Sequence, residues 1–305
     1  MKPLGFVLLT HNKPHQTLRL VRRLNAMYAE PPIVVHHDFG KSDPDAARFP
    51  ANVRFVQPHV ATDWARFSLV EATIAGVRLL FQQPDAPEWF TLLSGADYPC
   101  ASAAAVLADL HNAGADAFMK HHPVEPSDPM CQREPARLSR YLHHQINVYY
   151  INRRLRFSWR PIQLPRWLSR PFLPFSQAFR CHAGWQWFTA NRKAVRAILD
   201  FHDHRPALAR HYLNKWCTDE SYFHCILCND SSLRIVNDNK RYTEWRQGDP
   251  HPKTLGADDV PKILESGCHF ARKFDVDLDA SALALDALDG AWPPAGEPLC
   301  DSRAS

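Results

Sequence analysis

The sequence predicts an α/β domain: a mainly parallel sheet with helices on both faces. Three observations carry this. Short apolar, β-branched runs alternate with segments of helical period. The chain has 305 residues, 45% of them hydrophobic, enough for one large core. Polar, chemistry-bearing residues follow directly on the apolar runs, at the carboxyl ends of strands where open α/β sheets bind ligands.

Leu4–Thr10 is a branched apolar run and reads as a buried strand. Pro14 opens a helix with Leu18, Val21 and Leu24 at helical spacing. Ile33–Val35 is a second strand leading into His36, His37 and Asp38, and Val53–Val56 a third. Phe67–Phe81 has helical period through Val70, Ile74 and Val77. Trp89–Leu93 is a buried strand ending at Ser94–Pro99, Ala101–Leu110 a helix and Ala117–Met119 a strand. A strand over Gln186–Thr189 and a helix over Arg192–Phe201 follow. Thr218, with two acids behind it, is expected to N-cap a helix running through Cys228. There is no internal repeat. One domain is expected over residues 1–290, and a Pro/Ala/Ser-rich flexible tail over 291–305.

Composition excludes several classes. Glycine is scarce, 11 against 25 prolines, and neither G-x-G-x-x-G nor G-x-x-x-x-G-K-[ST] occurs, so any phosphate must be met by side chains. Lys+Arg number 36 against 32 Asp+Glu, a net +4, which does not support nucleic-acid binding. No apolar stretch is long enough to span a bilayer, and no signal-peptide pattern is present, so the expected location is cytoplasmic. The eight cysteines are scattered rather than framework-spaced, and Cys225-x-x-Cys228 reads as plain buried thiols in a packed helix. No G-x-S-x-G elbow supports a serine hydrolase. The adjacent pairs His36-His37, His121-His122 and His143-His144 point to opposite faces of a strand, so neither partner can share an ion with the other. Asp43-x-Asp45 and the series Asp275, Asp277, Asp279 read as solvated acids rather than a Mg²⁺ or Mn²⁺ site.

Between Pro135 and Leu199 there is no acid but there are twelve Lys+Arg, interleaved with aromatics and prolines. This reads as an irregular basic layer over the sheet, with an anionic ligand or peripheral membrane contact through residues 152–180 as sharper alternatives. For a metal-free nucleotide-sugar enzyme the residues offer an acid near a strand end (Asp38), cations for a diphosphate (Lys253, Lys273, Arg272), a carboxylate base (Glu220) and an aromatic platform (Trp245).

Eight segments in order resemble glycosyltransferase family 14, the core-2/I-branching N-acetylglucosaminyltransferases and peptide xylosyltransferases. They are Val35–Asp38, Trp64–Ala72, Phe90–Pro99, Gly184–Phe188, Thr218–Glu220, Arg241–Trp245, His251–Leu255 and Phe270–Asp275. The resemblance implies a GT-A-type fold with a Rossmann-like sheet, an inverting mechanism, and a UDP-sugar donor bound without an essential metal or other cofactor. It makes Glu220 the general base, in a motif with Thr218 where the family has proline. Lys273 becomes the diphosphate lysine, with Arg272 beside it, and Lys253 a second basic group where branching enzymes usually carry arginine. His11, Asp38 and Asp97 fall on the donor side. Trp245, Trp187 and Arg140 fall on the acceptor side, with an acceptor-binding insertion at about 121–180. The expected reaction is transfer from UDP-GlcNAc to a glycan or protein hydroxyl. The alternatives are peptide O-xylosylation from UDP-xylose and a non-catalytic sugar- or nucleotide-binding relative.

Overall fold

A computed structural model describes residues 2–151, 157–246 and 251–277, with the side chains of 145–161 and of Arg166 left aside. The expected tail at 291–305, and Asp279, lie outside the described residues.

The strands are β1 Leu4–Thr10, β2 Ile33–His37, β3 Val53–Phe55, β4 Trp89–Ser94, β5 Asp97–Pro99 and β6 Ala117–Pro123. They continue with β7 Gln145–Ile151, β8 Phe157–Gln163, β9 His182–Asn191, β10 Ile235–Val236, β11 Arg241–Tyr242 and β12 Phe270–Arg272. The helices are α1 Pro14–Tyr28, α2 Phe67–Phe81, α3 Ala103–Asn112, α4 Pro129–Arg133 and α5 Ala136–Leu142. After them come α6 Arg166–Ser169, α7 Arg192–His204, α8 Pro206–Tyr212, α9 Tyr222–Leu227 and α10 Val260–Glu265.

Seven strands form the central sheet in the order β10-β6-β9-β4-β1-β2-β3. The expected class, a mainly parallel sheet flanked by helices, is the class observed. Pairs β4–β1, β1–β2, β2–β3 and β10–β6 are parallel. β9 runs antiparallel to both β4 and β6 and joins the two parallel blocks.

Alternation along β1 divides the core. Leu4, Phe6 and Leu8 pack with α1, α3 and α10 on one face. Val7 and Leu9 pack with α2, α7 and α9 on the other. Gly76 lets α2 lie close on β1: a Cβ there would sit 2.6 Å from a methyl of Val7. At Gly184 a Cβ would sit 1.8 Å from the Lys120 carbonyl oxygen, where the β6–β9 register shifts.

Two expectations are corrected. The 218–228 segment is not one capped helix but a 3₁₀ turn over Thr218–Glu220 followed by α9. The turn starts from Cys217 in a left-handed conformation, and the buried Thr218 hydroxyl has no hydrogen-bond partner among the described residues, so it does not cap the turn. The basic segment is also more regular than an irregular layer, since it holds the antiparallel hairpin β7–β8. Of the stretch 152–180 suggested for membrane contact, Trp167 and Phe172 are exposed at 74% and 60%, and 152–156 lie outside the described residues. Among the described residues, no helix is long and apolar enough to cross a membrane.

Candidate active site

A cavity of about 420 Å³ opens at the carboxyl ends of β1, β2 and β4. Its wall is built from His11 and Lys13 after β1, the Ser94–Ala96 turn after β4, and Trp187 on β9. Arg272 and Lys273 close it from the end of β12. This is the crevice the strand–helix alternation anticipated.

A second, three-stranded sheet brings the cations there. β12 pairs with β11 on one side and with β5 on the other, and its register sets Arg272 opposite Asp97. Asp97 itself stays out of the cavity. Its carboxylate takes hydrogen bonds from the Ser94 amide (2.7 Å) and hydroxyl (2.5 Å), and an oxygen lies 3.0 Å from the guanidinium of Arg241. Asp97 and Arg241 are both fully buried. Asp97 therefore shapes the Ser94–Ala96 turn from behind rather than presenting a donor contact.

Asp38 is likewise held inside the wall. Burial alone would raise its pKa, but hydrogen bonds from the Thr62 amide and hydroxyl, both 2.8 Å, and the Lys41 ammonium hold it down at about 2. His11 faces the cavity, and burial followed by the Lys41 charge pushes its pKa down.

The cations facing the cavity fall into two kinds. Lys13 is neutralised by Asp275 and, at 2.9 Å, Asp277, so those two acids bind a lysine and are not merely solvated. Arg272 and Lys273 have no carboxylate within salt-bridge distance among the described residues. The Arg272 guanidinium lies over the Trp187 ring at 4.2 Å, a cation–π contact. Burial, then the neighbouring Arg272 charge, lowers the Lys273 pKa. Each lines the cavity as a half-buried positive group.

Lys253 departs from expectation. Its ammonium pairs with Asp259 at 2.6 Å and Glu244 at 3.3 Å, and it does not line the cavity. His251, two residues earlier, occupies the wall instead. Trp245 is half-exposed and meets Trp185 edge to face at 5.7 Å. Trp187, expected on the acceptor side, lines the same cavity as Lys273.

Glu220 sits in the turn that packs on α2, the helix whose Leu69 and Ala72 also line the cavity. Trp216, just before that turn, packs edge-on against Trp64 of the cavity wall at 5.1 Å. The Glu220 carboxylate makes no hydrogen bond within the described residues. Burial raises its pKa, and Arg137 and Arg140 on α5 pull it back. Both arginines are held by Glu134, at 2.8 and 2.9 Å. Arg140, expected to touch the acceptor, thus reaches the Glu220 carboxylate electrostatically. Asp219 beside it is buried, and desolvation together with the Glu220 charge lifts its pKa to about 7.

The sequence reading missed Lys13, Lys41, Trp64 and His251. The last two stand inside the quoted motifs, His251 two residues before Lys253 and Trp64 in a segment to which no role was given. Lys13 carried no spacing signal, because its partners Asp275 and Asp277 are distant in the chain, whereas Lys41 stands only three residues from Asp38.

The sequence model of the Core-2/I-Branching enzymes matches residues 4–265. The chain belongs to this family. Beta-glucuronosyltransferase GlcAT14A of Arabidopsis thaliana is 24% identical over 245 residues, covering 78% of this chain and 51% of that protein. Beta-glucuronosyltransferase GlcAT14B of the same plant is 23% identical over the same length. The chain thus spans about half the length of these curated relatives. Among solved structures, the 4-diphosphocytidyl-2C-methyl-D-erythritol synthase of Anaerococcus prevotii is similar at 14% identity and a TM-score of 0.38, covering 87% of this chain and 98% of that one.

Proposed function

We propose that the chain is an inverting glycosyltransferase that moves a sugar from a UDP-sugar to an acceptor hydroxyl without a metal at the diphosphate. One observation carries the reading: Arg272 and Lys273 are free cations in a strand-end cavity, with an unpaired carboxylate, Glu220, on the turn beside its wall. In the reaction Glu220 takes the acceptor proton while the hydroxyl oxygen bonds to the anomeric carbon. The bond from that carbon to the diphosphate oxygen breaks on the opposite face, and UDP leaves with the electron pair. The centre passes through an oxocarbenium-like state, as in glycoside hydrolysis. Lys273 and Arg272 stabilise the charge that develops on the diphosphate. A non-catalytic binding role would have no use for the base.

The expected donor was UDP-GlcNAc, with UDP-xylose as the alternative. The names of the plant relatives add UDP-glucuronic acid. UDP release from these three donors, with and without glycan acceptors, separates them. Glu220→Gln is expected to lower kcat by ~10²–10⁴ with donor affinity retained. Near-normal turnover in that variant removes Glu220 from the role of base. Turnover is expected to persist in chelator. Activity lost in chelator and restored by Mn²⁺ overturns the metal-free diphosphate site.

A further inference from the structure

Three side chains behind the Glu220 turn have no part in this chemistry. His121 lies on β6, His182 begins β9, and Cys228 follows α9. Their ligand atoms, two imidazole nitrogens and a sulfur, all lie within 4.8 Å of one another, and each residue is half-buried. The two rings meet at 6.3 Å between centroids. Neither ring nor the thiol has a hydrogen-bond partner among the described residues, and Nδ1 of His182 is buried without one.

Of the neighbouring groups of the same kinds, Cys225 and the His122 cluster are already engaged, whereas neither ring nitrogen of the buried His224 has a hydrogen-bond partner among the described residues. The Cys225 thiol donates to the His182 carbonyl at 3.3 Å and meets the Tyr212 hydroxyl at 3.5 Å. His122 falls in a different cluster, with Asp128 and Cys131. There Asp128 caps α4 through the amides of Met130 and Cys131, at 2.9 and 3.3 Å, so its carboxylate is occupied. The strand alternation that keeps adjacent histidines off one ion thus leaves His121 facing His182 and Cys228.

We propose that His121, His182 and Cys228 form a site for a thiophilic divalent cation, zinc by its ligand chemistry, with water as fourth ligand. Two imidazoles and a thiolate suit Zn²⁺ and disfavour Mg²⁺ and Mn²⁺, which prefer oxygen. Bond lengths of ~2.0–2.3 Å place tetrahedral ligands roughly 3.3–3.8 Å apart, so the three atoms need close by only about an ångström through side-chain rotation. The ion would tie β6, β9 and the end of α9 together. Ser221, next to Glu220, already donates its hydroxyl to the His182 carbonyl at 2.6 Å, so the bridge would brace the turn carrying the base.

The test titrates the chelator-treated, desalted full chain with Co²⁺ alone. One equivalent is expected to produce a near-ultraviolet thiolate-to-cobalt charge-transfer band and the visible bands of tetrahedral cobalt. Zn²⁺ should displace them and raise the thermal midpoint. Cys228→Ser should abolish the charge-transfer band, His182→Gln should weaken Co²⁺ binding by at least ~10-fold, and Cys131→Ser should change neither. A missing thiolate band in the unsubstituted chain, or one that survives Cys228→Ser, overturns the site. If Cys228→Ser does not fold by circular dichroism, His121→Asn decides, and unchanged Co²⁺ affinity there overturns it as well. Because this donor set disfavours Mn²⁺, Mn²⁺ rescue of turnover would report on the diphosphate and not on this cluster.

Discussion

The buried pair of Asp97 and Arg241 makes the sharpest prediction about stability. Both side chains are removed from water, 3.0 Å apart. The arginine also donates to the Leu92 carbonyl at 3.0 Å, and the aspartate holds both polar hydrogens of Ser94. Asp97→Asn removes the charge and leaves a guanidinium buried without its counter-ion. Breaking such a pair from one side costs ~3–5 kcal/mol, because the remaining charge stays desolvated. At ~2–3 °C per kcal/mol for a chain of this size, the thermal midpoint should fall by ~6–15 °C. Arg241→Met should cost a similar amount. The double variant Asp97→Asn/Arg241→Met should cost less than the sum of the two, since it leaves no lone charge. Melting followed by circular dichroism, with urea midpoints as a second measure, reads all three. A single variant melting within ~2 °C of the parent, or strict additivity in the double, would refute the account. A rise in donor KM without loss of stability would instead return Asp97 to direct donor binding.

Lys273→Met should lower kcat by ~10²–10³ in UDP-release assays, as loss of one preorganised cation does; a change below threefold would exclude it from the diphosphate. Arg137 and Arg140 hold the Glu220 pKa down against burial, so Arg137→Gln should shift the acid limb of the kcat profile to higher pH, and an unmoved or lowered limb contradicts this. The Asp219 pKa is raised in the fold to about 7 from 3.8, so the folded chain binds the extra proton and stability declines as pH rises through that window. Asp219→Asn should therefore gain thermal stability at pH 8 relative to the parent and show little gain at pH 4. Equal shifts at both values would sink the linkage.

Elements with strong local signals were legible from sequence. Leu4–Thr10, Pro14 and Phe67–Phe81 fall where the apolar period and the proline placed them. β2 runs on to His37 and β6 to Pro123, because tertiary pairing extends strands through polar residues that carry no apolar pattern. Thr218 failed as a cap because the chain enters the turn at Cys217 in a left-handed conformation, which no propensity at Thr218 reports. Within the site, the motif Phe270–Asp275 marked the two free cations correctly as neighbours. It could not separate them from Lys253, whose acids Glu244 and Asp259 meet it only in the fold. Asp97 and Asp38 were legible as important but not as buried, since an acid at a strand end looks the same whether it faces a ligand or a neighbouring arginine.

The register of β6 and β9 has one further consequence. Pro123 is the partner of His182, and the amide of Val124 bonds the carbonyl of Cys181 at 2.9 Å. The chain that departs after Pro123 therefore returns to the place it left, and residues 124–181 form a loop closed at its neck by the sheet itself. Changing the length of such a loop adds only a slowly growing entropy of closure, about 0.6 kcal/mol per doubling. Length changes at the β7–β8 hairpin leave the strand ends that hold Trp187, Arg272 and Lys273 in register, whereas Tyr141, Arg137 and Arg140 in the same loop tie it to the core and to the Glu220 turn. Variation in length at that hairpin therefore leaves the cavity wall where it is.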